Sequence, residues 1–221
     1  MKRLLATKIL SKNLKDRLLM HSFSLVEQSF IQISPIQNIA IESVHDGIIF
    51  SSKNAVSIAL ANPKIKALID QKSIFCVGKK TAMLLEQNGQ KVVKIAQNSA
   101  ELGDFIAKNN KKESFSFFCG KSRVVDLEQI LSFNNIPIEP IEIYETLPQP
   151  HKAKGHFDGI IFFSPSGVKG YAIKNTFENT QCFCLGSTTA KAVQEFTSNF
   201  CVAKSPDATQ LFISIKKHFN Q

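Results

Sequence analysis

A chain of 221 residues is long enough for one large domain or two small ones, each burying its own core. Its hydrophobic content of 43%, with 18 Phe and no Trp, is ordinary for a water-soluble globular protein, and no apolar run approaches the roughly 20 residues that cross a bilayer. A formal net charge of +9 favours anionic partners, either nucleic acid or a polyanionic small molecule; the basic residues are scattered, and no Lys/Arg-rich run with interleaved aromatics marks a nucleic-acid surface.

The N-terminal segment Met1-Lys-Arg-Leu-Leu-Ala-Thr-Lys8 has basic residues, but its apolar run is too short for a signal-peptide core and reads as a first strand over Arg3 to Ala6. A cytoplasmic protein is expected. A helix follows over Asn13 to Met20, then a strand from Phe23 to Val26 and an extended segment from Phe30 to Ile33. Gly47 to Phe50 is a short continuous apolar run, the pattern of a central parallel strand covered on both faces, and a helix follows it. Ile74 to Val77 reads as a strand and Thr81 to Gln87 as a helix, stopped by Asn88-Gly89. Val92 to Ile95 closes that half, and the next helix starts at Asn98 with Glu101 in a capping-box arrangement.

The second half follows the same order. Phe115 to Phe118 reads as a strand, Val124 to Phe133 as a helix stopped by Asn134-Asn135, and Ile138 to Ile143 as an extended segment. Then come a strand from Gly159 to Phe163, a helix, a strand from Cys182 to Leu185, a helix from Thr189 to Phe196 and a strand from Cys201 to Ala203. A final helix starts at Asp207, with Gln210 three residues on. This alternation predicts an α/β protein with parallel sheets flanked by helices.

The halves are also alike in letters. Asp46-Gly-Ile-Ile-Phe-Ser-Ser-Lys-Asn-Ala-Val56 returns as Asp158-Gly-Ile-Ile-Phe-Phe-Ser-Pro-Ser-Gly-Val168, and Phe75-Cys-Val-Gly-Lys-Lys-Thr-Ala82 as Phe183-Cys-Leu-Gly-Ser-Thr-Thr-Ala190. Asn98-Ser-Ala-Glu-Leu102 returns as Asp207-Ala-Thr-Gln-Leu211. A repeat of this length is a domain-sized unit, so two similar lobes around a cleft are expected. The five cysteines form no Cys-x-x-Cys pair and mostly sit in apolar runs, which reads as reduced, buried thiols. The five histidines show no ligand spacing, so neither a metal nor a disulfide framework is expected.

Ligands in open parallel sheets collect beyond the carboxyl ends of the strands, where helix N-termini offer unpaired N–H groups. The repeated motifs fall there: Ser52, Lys53 and Asn54 after one strand, and Ser164, Ser166 and Gly167 after its copy. Ser164 followed by Pro165 is the pattern of an N-cap and a first helical residue, so these serines cap helices, bind an anion, or do both. Gly78 with Thr81, and Gly186 with Thr188 and Thr189, form a second pair, where glycine permits a sharp turn and a close ligand approach. Gly120-Lys121-Ser122-Arg123 lacks the earlier glycine of a nucleotide-binding loop; Lys121 and Arg123 either meet carboxylates or form a solvated charged turn. Tyr144, one of two tyrosines, sits at a strand exit, a place suited to amphipathic packing or to acid catalysis.

Taken in order, Leu5-Ala-Thr-Lys8, Ile49-Phe-Ser-Ser-Lys-Asn-Ala-Val56, Val77-Gly-Lys-Lys-Thr-Ala82, Ile141-Glu-Ile-Tyr-Glu-Thr146, Phe162-Phe-Ser-Pro-Ser-Gly-Val168 and Leu185-Gly-Ser-Thr-Thr-Ala190 resemble the uroporphyrinogen-III synthase family over nearly the whole chain. The resemblance implies that the first strand-helix unit belongs with the C-terminal part. The lobes would be 1–33 plus 148–221 and 36–145, with extended linkers near 34–35 and 146–147; two short linkers beside a cleft lead to the expectation of hinge motion at Ser34-Pro35 and Thr146 to Pro150. The resemblance further implies cyclisation of the linear tetrapyrrole hydroxymethylbilane to uroporphyrinogen III, with loss of water and inversion of ring D, in haem biosynthesis. No cofactor would take part, the substrate would be a polycarboxylate, and no nucleic acid or membrane would be a partner; a monomer is expected. The family pattern makes Tyr144 the candidate proton donor, while unmatched positions such as Tyr144, whose approximate counterpart is Ile33-Ser34, are better candidates for chemistry than the repeated ones. Rival readings are a non-catalytic tetrapyrrole-binding or polycarboxylate-binding module of the same fold and, from charge alone, a nucleic-acid binder.

Overall fold

Strand and helix alternate along nearly the whole chain. A computed structural model describes residues 1–178 and 180–219. In chain order the first elements are β1 (Lys2–Ala6), α1 (Lys12–Met20), β2 (Phe23–Glu27), β3 (Ile31–Pro35), β4 (Gly47–Phe50), α2 (Lys53–Ala61), α3 (Pro63–Ile69), β5 (Ser73–Val77), α4 (Lys79–Gln87), β6 (Val92–Ala96) and α5 (Ser99–Asn109). They are followed by β7 (Phe115–Gly120), α6 (Asp126–Phe133), β8 (Ile138–Pro148), β9 (Gly159–Phe162), α7 (Pro165–Ala172), β10 (Gln181–Cys184), α8 (Ser187–Gln194), β11 (Phe200–Val202) and α9 (Ala208–Phe219).

The chain divides into two units, Met1–Gln32 with Leu147–Gln221, and Ile33–Thr146. The first holds a sheet of order β11-β10-β9-β1-β2, parallel throughout. The second holds a sheet of order β3-β8-β7-β4-β5-β6, parallel from β8 to β6. The orders β11-β10-β9-β1-β2 and β6-β5-β4-β7-β8 are the same arrangement. The strand-helix-strand unit that comes first in the chain therefore stands where the second unit has β7-α6-β8. The chain passes between the units within β3 and within β8, which are neighbours in the larger sheet, so both crossings are strand.

Burial on two faces explains the apolar runs at the centre. Ile48 and Phe50 of β4 pack with Val56, Ile74 and Phe118, while the intervening Ile49 packs with Phe75, Phe115 and Phe117. The other unit repeats this: Ile160 and Phe162 of β9 face one core, and Ile161 faces another with Leu4 and Phe183. A strand feeding two cores can carry no polar face, and hence reads as Ile-Ile-Phe without alternation. The glycine before each run lies beneath a ring; a β-carbon on Gly47 would come 2.5 Å from Phe115, and on Gly159 2.7 Å from Phe183.

Caps settle the helix ends. Asn98 Oδ1 accepts from the Glu101 amide at 2.9 Å, and Asp207 Oδ1 accepts from the amides of Thr209 and Gln210 at 2.8 and 2.9 Å. Asn135 and Gly89 both take positive φ, 57° and 76°, where the sequence placed helix stops. Among the differences from the sequence reading, which include a later start for α6 at Asp126 and an earlier end for α8 at Gln194, three stand out. Helices α4 and α8 begin two residues earlier than Thr81 and Thr189, directly after Gly78 and Gly186. The short α3 was not read from the sequence; Asn62 ends α2 and caps α3, with Pro63 as the first helical residue. Strand β8 runs past Ile143 to Pro148.

The five cysteines are free, with Cys76, Cys119, Cys182 and Cys184 buried. Burial pushes their thiols up, to about 11 for Cys76 and about 12 for the other three. Among the described residues no helix is long and apolar enough to cross a membrane, and no group of three or more His, Cys, Asp or Glu side chains gathers as metal ligands.

Candidate active site

In the second unit, the carboxyl ends of β4, β5 and β7 and the exit of β8 meet around the start of α2. Ser52 is the N-cap of that helix, extended at φ −147°, and its Oγ accepts from the Asn54 amide at 3.0 Å. Capping alone would leave the hydroxyl otherwise unengaged, but Tyr144 Oη also donates to Ser52 Oγ, at 3.2 Å. Two candidates 92 residues apart in sequence are thus in direct contact. Tyr144 is 9% exposed and joins the core that contains Phe50, Phe118 and Ile143, so its ring packs while its hydroxyl reaches the helix end.

The tyrosine ring lies on Gly120. A β-carbon there would come 2.7 Å from Tyr144 Cζ, 2.8 Å from Cε2 and 3.0 Å from Oη. The β7–β8 pairing shifts register between Cys119 and Gly120, so that Gly120 pairs with Tyr144, and the Lys121 amide donates to the Tyr144 carbonyl at 2.9 Å. Gly120 therefore holds the tyrosine by lacking a side chain, which sequence reading of the Gly120-to-Arg123 turn had not connected to Tyr144.

Arg123 is placed differently from Lys121. Its Nε donates to Glu128 Oε1 at 2.6 Å and its Nη1 to Glu142 Oε1 at 2.7 Å, tying the turn after β7 to both α6 and β8. Burial works against the guanidinium charge, but these two hydrogen bonds prevail and hold Arg123 above its ordinary range. Glu128 Oε2 is buried without a hydrogen-bond partner, so the pairing to Arg123 is what compensates that carboxylate. Arg123 is committed to protein carboxylates, a role distinct from the ligand-binding one read from sequence. Lys121 is exposed.

Gly78 precedes α4 as its N-cap with φ 86°, a value that disfavours any side chain, whereas its repeat partner Gly186 is extended at φ −160°. Thr81 is 5% exposed in the first turn of α4 and belongs mostly to the helix-sheet packing. Lys53 and Asn54 are exposed, and both line a groove of about 440 Å³ that Lys80 of α4 also borders. Lys80 was not among the site residues read from the sequence, although Gly78-Lys-Lys-Thr81 marked its position.

The first unit offers a second set of helix starts. Ser164 caps α7, extended at φ −157°, with Oγ accepting from the Gly167 amide at 3.2 Å and lying 3.0 Å from Ser166 Oγ. Gly167 is buried against Thr7, whose hydroxyl donates to the Ile161 carbonyl at 2.9 Å. Thr188 is exposed at the start of α8, while Thr189 is 2% exposed. Lys8, at the end of β1, sets its Nζ 4.2 Å from the centre of the Phe163 ring. Neither Thr7 nor Lys8 stands out as a site residue in the sequence, although both lie in the Leu5-Ala-Thr-Lys8 motif.

Residues 12–213 match the family model described as uroporphyrinogen-III synthase HemD. A uroporphyrinogen-III synthetase from Helicobacter pylori superposes with a TM-score of 0.77 at 20% identity, over 99% of this chain and 100% of its own. A mutant uroporphyrinogen III synthase from Thermus thermophilus does so with a TM-score of 0.63 at 14% identity, over 100% of this chain and 99% of its own. At such identities the structures establish a shared fold, and it is the sequence match over nearly the whole length that decides kinship: the chain belongs to the uroporphyrinogen-III synthase family.

Proposed function

We infer that the protein closes hydroxymethylbilane to uroporphyrinogen III, releasing water and inverting ring D, with Tyr144 as the proton donor. The family match over residues 12–213 carries the reaction, and the Tyr144–Ser52 contact at the start of α2 supports the residue assignment. The reaction begins by expelling the ring-A hydroxyl. A proton delivered to that oxygen converts it to water and leaves an azafulvenium cation. Ring D then attacks through its substituted carbon to give a spiro centre; the older bond from that carbon to the ring-C methylene breaks, that methylene closes on the unsubstituted α-carbon of ring D, and the carbon so substituted loses a proton. A phenolic hydroxyl can serve as the general acid of the first step.

The substrate bears acetate and propionate groups on every ring. The helix starts at Ser52, Gly78, Ser164 and Gly186 offer backbone N–H groups to such carboxylates, with the side chains of Ser52, Lys53, Asn54, Thr81, Lys121, Ser164, Ser166, Thr188 and Thr189 around them. Amide donors bind carboxylates while leaving the hydroxyl to be expelled free of a dense cation cluster. Positioning is the main catalytic demand, because closure without inversion is the intrinsically easy outcome. The same reading makes the protein a cytoplasmic monomer that works without a cofactor or nucleic acid.

The decisive experiment supplies freshly prepared hydroxymethylbilane and resolves the two cyclic isomers. Uroporphyrinogen III forming in proportion to enzyme is the expected result. Type I isomer alone, at the spontaneous rate, would reject the activity.

A further inference from the structure

We propose that Ser52 is a positioning residue that relays the polarity of the α2 N-terminus to the Tyr144 phenol, a proposal that rests on Tyr144 acting as the acid. A serine hydroxyl has one hydrogen to donate and two lone pairs to accept with. In the structure both lone pairs of Ser52 Oγ are used, by the Asn54 amide at 3.0 Å and by Tyr144 Oη at 3.2 Å. The phenolic hydrogen points at serine in this arrangement, and the serine hydrogen has no use in the pair.

Rotation of the two hydroxyls reverses their contact without moving a heavy atom. The Asn54 amide still donates to Ser52 Oγ, Ser52 now donates to Tyr144 Oη, and the phenolic hydrogen is freed toward the substrate. When it passes to the ring-A hydroxyl, the Tyr144 O–H bond and the substrate C–O bond break, and water leaves. The phenolate that remains accepts a hydrogen bond from a serine that is itself polarised by a backbone amide at the positive end of a helix. The proton released when ring D regains aromaticity restores the phenol, so the cycle balances with no added reagent. Gly120 keeps the geometry fixed, since the ring rests where a side chain would otherwise be.

The contact also gives the relay a signature that capping or substrate binding lacks. Glycine is nearly as good an N-cap as serine, so Ser52→Gly removes the hydroxyl with little change to the helix. Ser52→Gly is expected to lower kcat for type III formation about tenfold while the melting temperature holds, and Ser52→Thr to recover most of that loss. Tyr144→Phe is expected to lower kcat by about 10²-fold, and in that background Ser52→Gly should change kcat by less than about twofold. A Ser52→Gly enzyme with undiminished kcat, or one whose tenfold loss recurs in the Tyr144→Phe background, would overturn the relay while leaving the acid in place. Full kcat in Tyr144→Phe itself would remove the acid and the relay together.

Discussion

Gly120→Ala tests the placement of Tyr144 without touching either hydroxyl. Gly120 lies within β7 with a backbone conformation open to alanine, so the substitution acts through its added methyl alone. That carbon would sit 2.7 Å from Cζ and 2.8 Å from Cε2 of a ring that is 9% exposed. Carbon atoms pack at about 3.5–4.0 Å, so the ring must retreat by about 1 Å. Oη lies 3.0 Å from the same point and moves with the ring, which disturbs a Ser52 contact already at 3.2 Å. Overpacking of this kind costs roughly 1–3 kcal/mol, which in a chain of this length lowers the melting temperature by about 2–4 °C for each kcal/mol. Misplacing a reacting group by about 1 Å costs on the order of 10²-fold in rate. Thermal melts followed by circular dichroism and a type III product assay read the two effects separately. In a Tyr144→Ala background the clash has no partner, and Gly120→Ala should then cost less than about 0.5 kcal/mol. A Gly120→Ala enzyme that melts and turns over as the parent does would refute the reasoning.

Arg123→Ala should lower stability and kcat, leaving KM within about threefold, because it unties β8 and strands Glu128; a large rise in KM with unchanged kcat would instead show Arg123 binding substrate. Glu27 is held below the usual carboxylate range by its hydrogen bond from Lys15, against burial and with help from the Leu10 amide. Its contribution is therefore present above the unfolded value near 4.3 and lost as pH falls through the lower folded one, so the melting-temperature gap between parent and Glu27→Gln should close below about pH 4. A gap of constant size from pH 7 to pH 3 would contradict that linkage. Ser164→Ala should destabilise the first unit by about 1 kcal/mol through the loss of the α7 cap, measured by urea titration. Maleimide should leave Cys76, Cys119, Cys182 and Cys184 unlabelled in the native protein at pH 7.5 and label them in denaturant, as checked by intact mass.

The central strands were legible because double burial leaves a strong local trace: Ile48-Ile49-Phe50 and Ile160-Ile161-Phe162 admit no polar residue. Helix ends were legible where one residue type does the work locally, as Asn98, Asp207, Asn135 and Gly89 do. Helix α3 escaped because seven residues give too few turns for a period, although Asn62-Pro63 held the capping signal. The site was legible only as separate places. Ser52 and Tyr144 each stood out at a strand end, but a contact across 92 residues has no local trace. The same holds for Arg123, whose partners Glu128 and Glu142 come from a helix and a strand that only the packed sheet brings together. Gly120 looked like part of a charged turn, since the ring that requires it approaches from another strand.

The repeat explains the scaffold, and the register explains why only one unit carries the tyrosine. In the first unit β1 pairs with β9 from Leu4 opposite Gly159, and its ladder with β2 ends at Ala6 opposite Glu27, short of the end of β9. In the second, β7 pairs with β4 from Phe115 opposite Gly47, reaching Phe118 opposite Phe50. There the ladder with β8 continues beyond the last residue of β4, through Cys119 opposite Glu142 to Gly120 opposite Tyr144. Those added rungs carry Tyr144 to the level of Ser52, the second residue past β4, and the register shift before Gly120 turns the ring onto the bare backbone. Arg123 fastens the extension by gripping Glu142 two residues before the tyrosine. In one copy of the repeated fold a tyrosine thus meets a helix cap because one strand pair runs on past its neighbours, with a glycine to receive the ring.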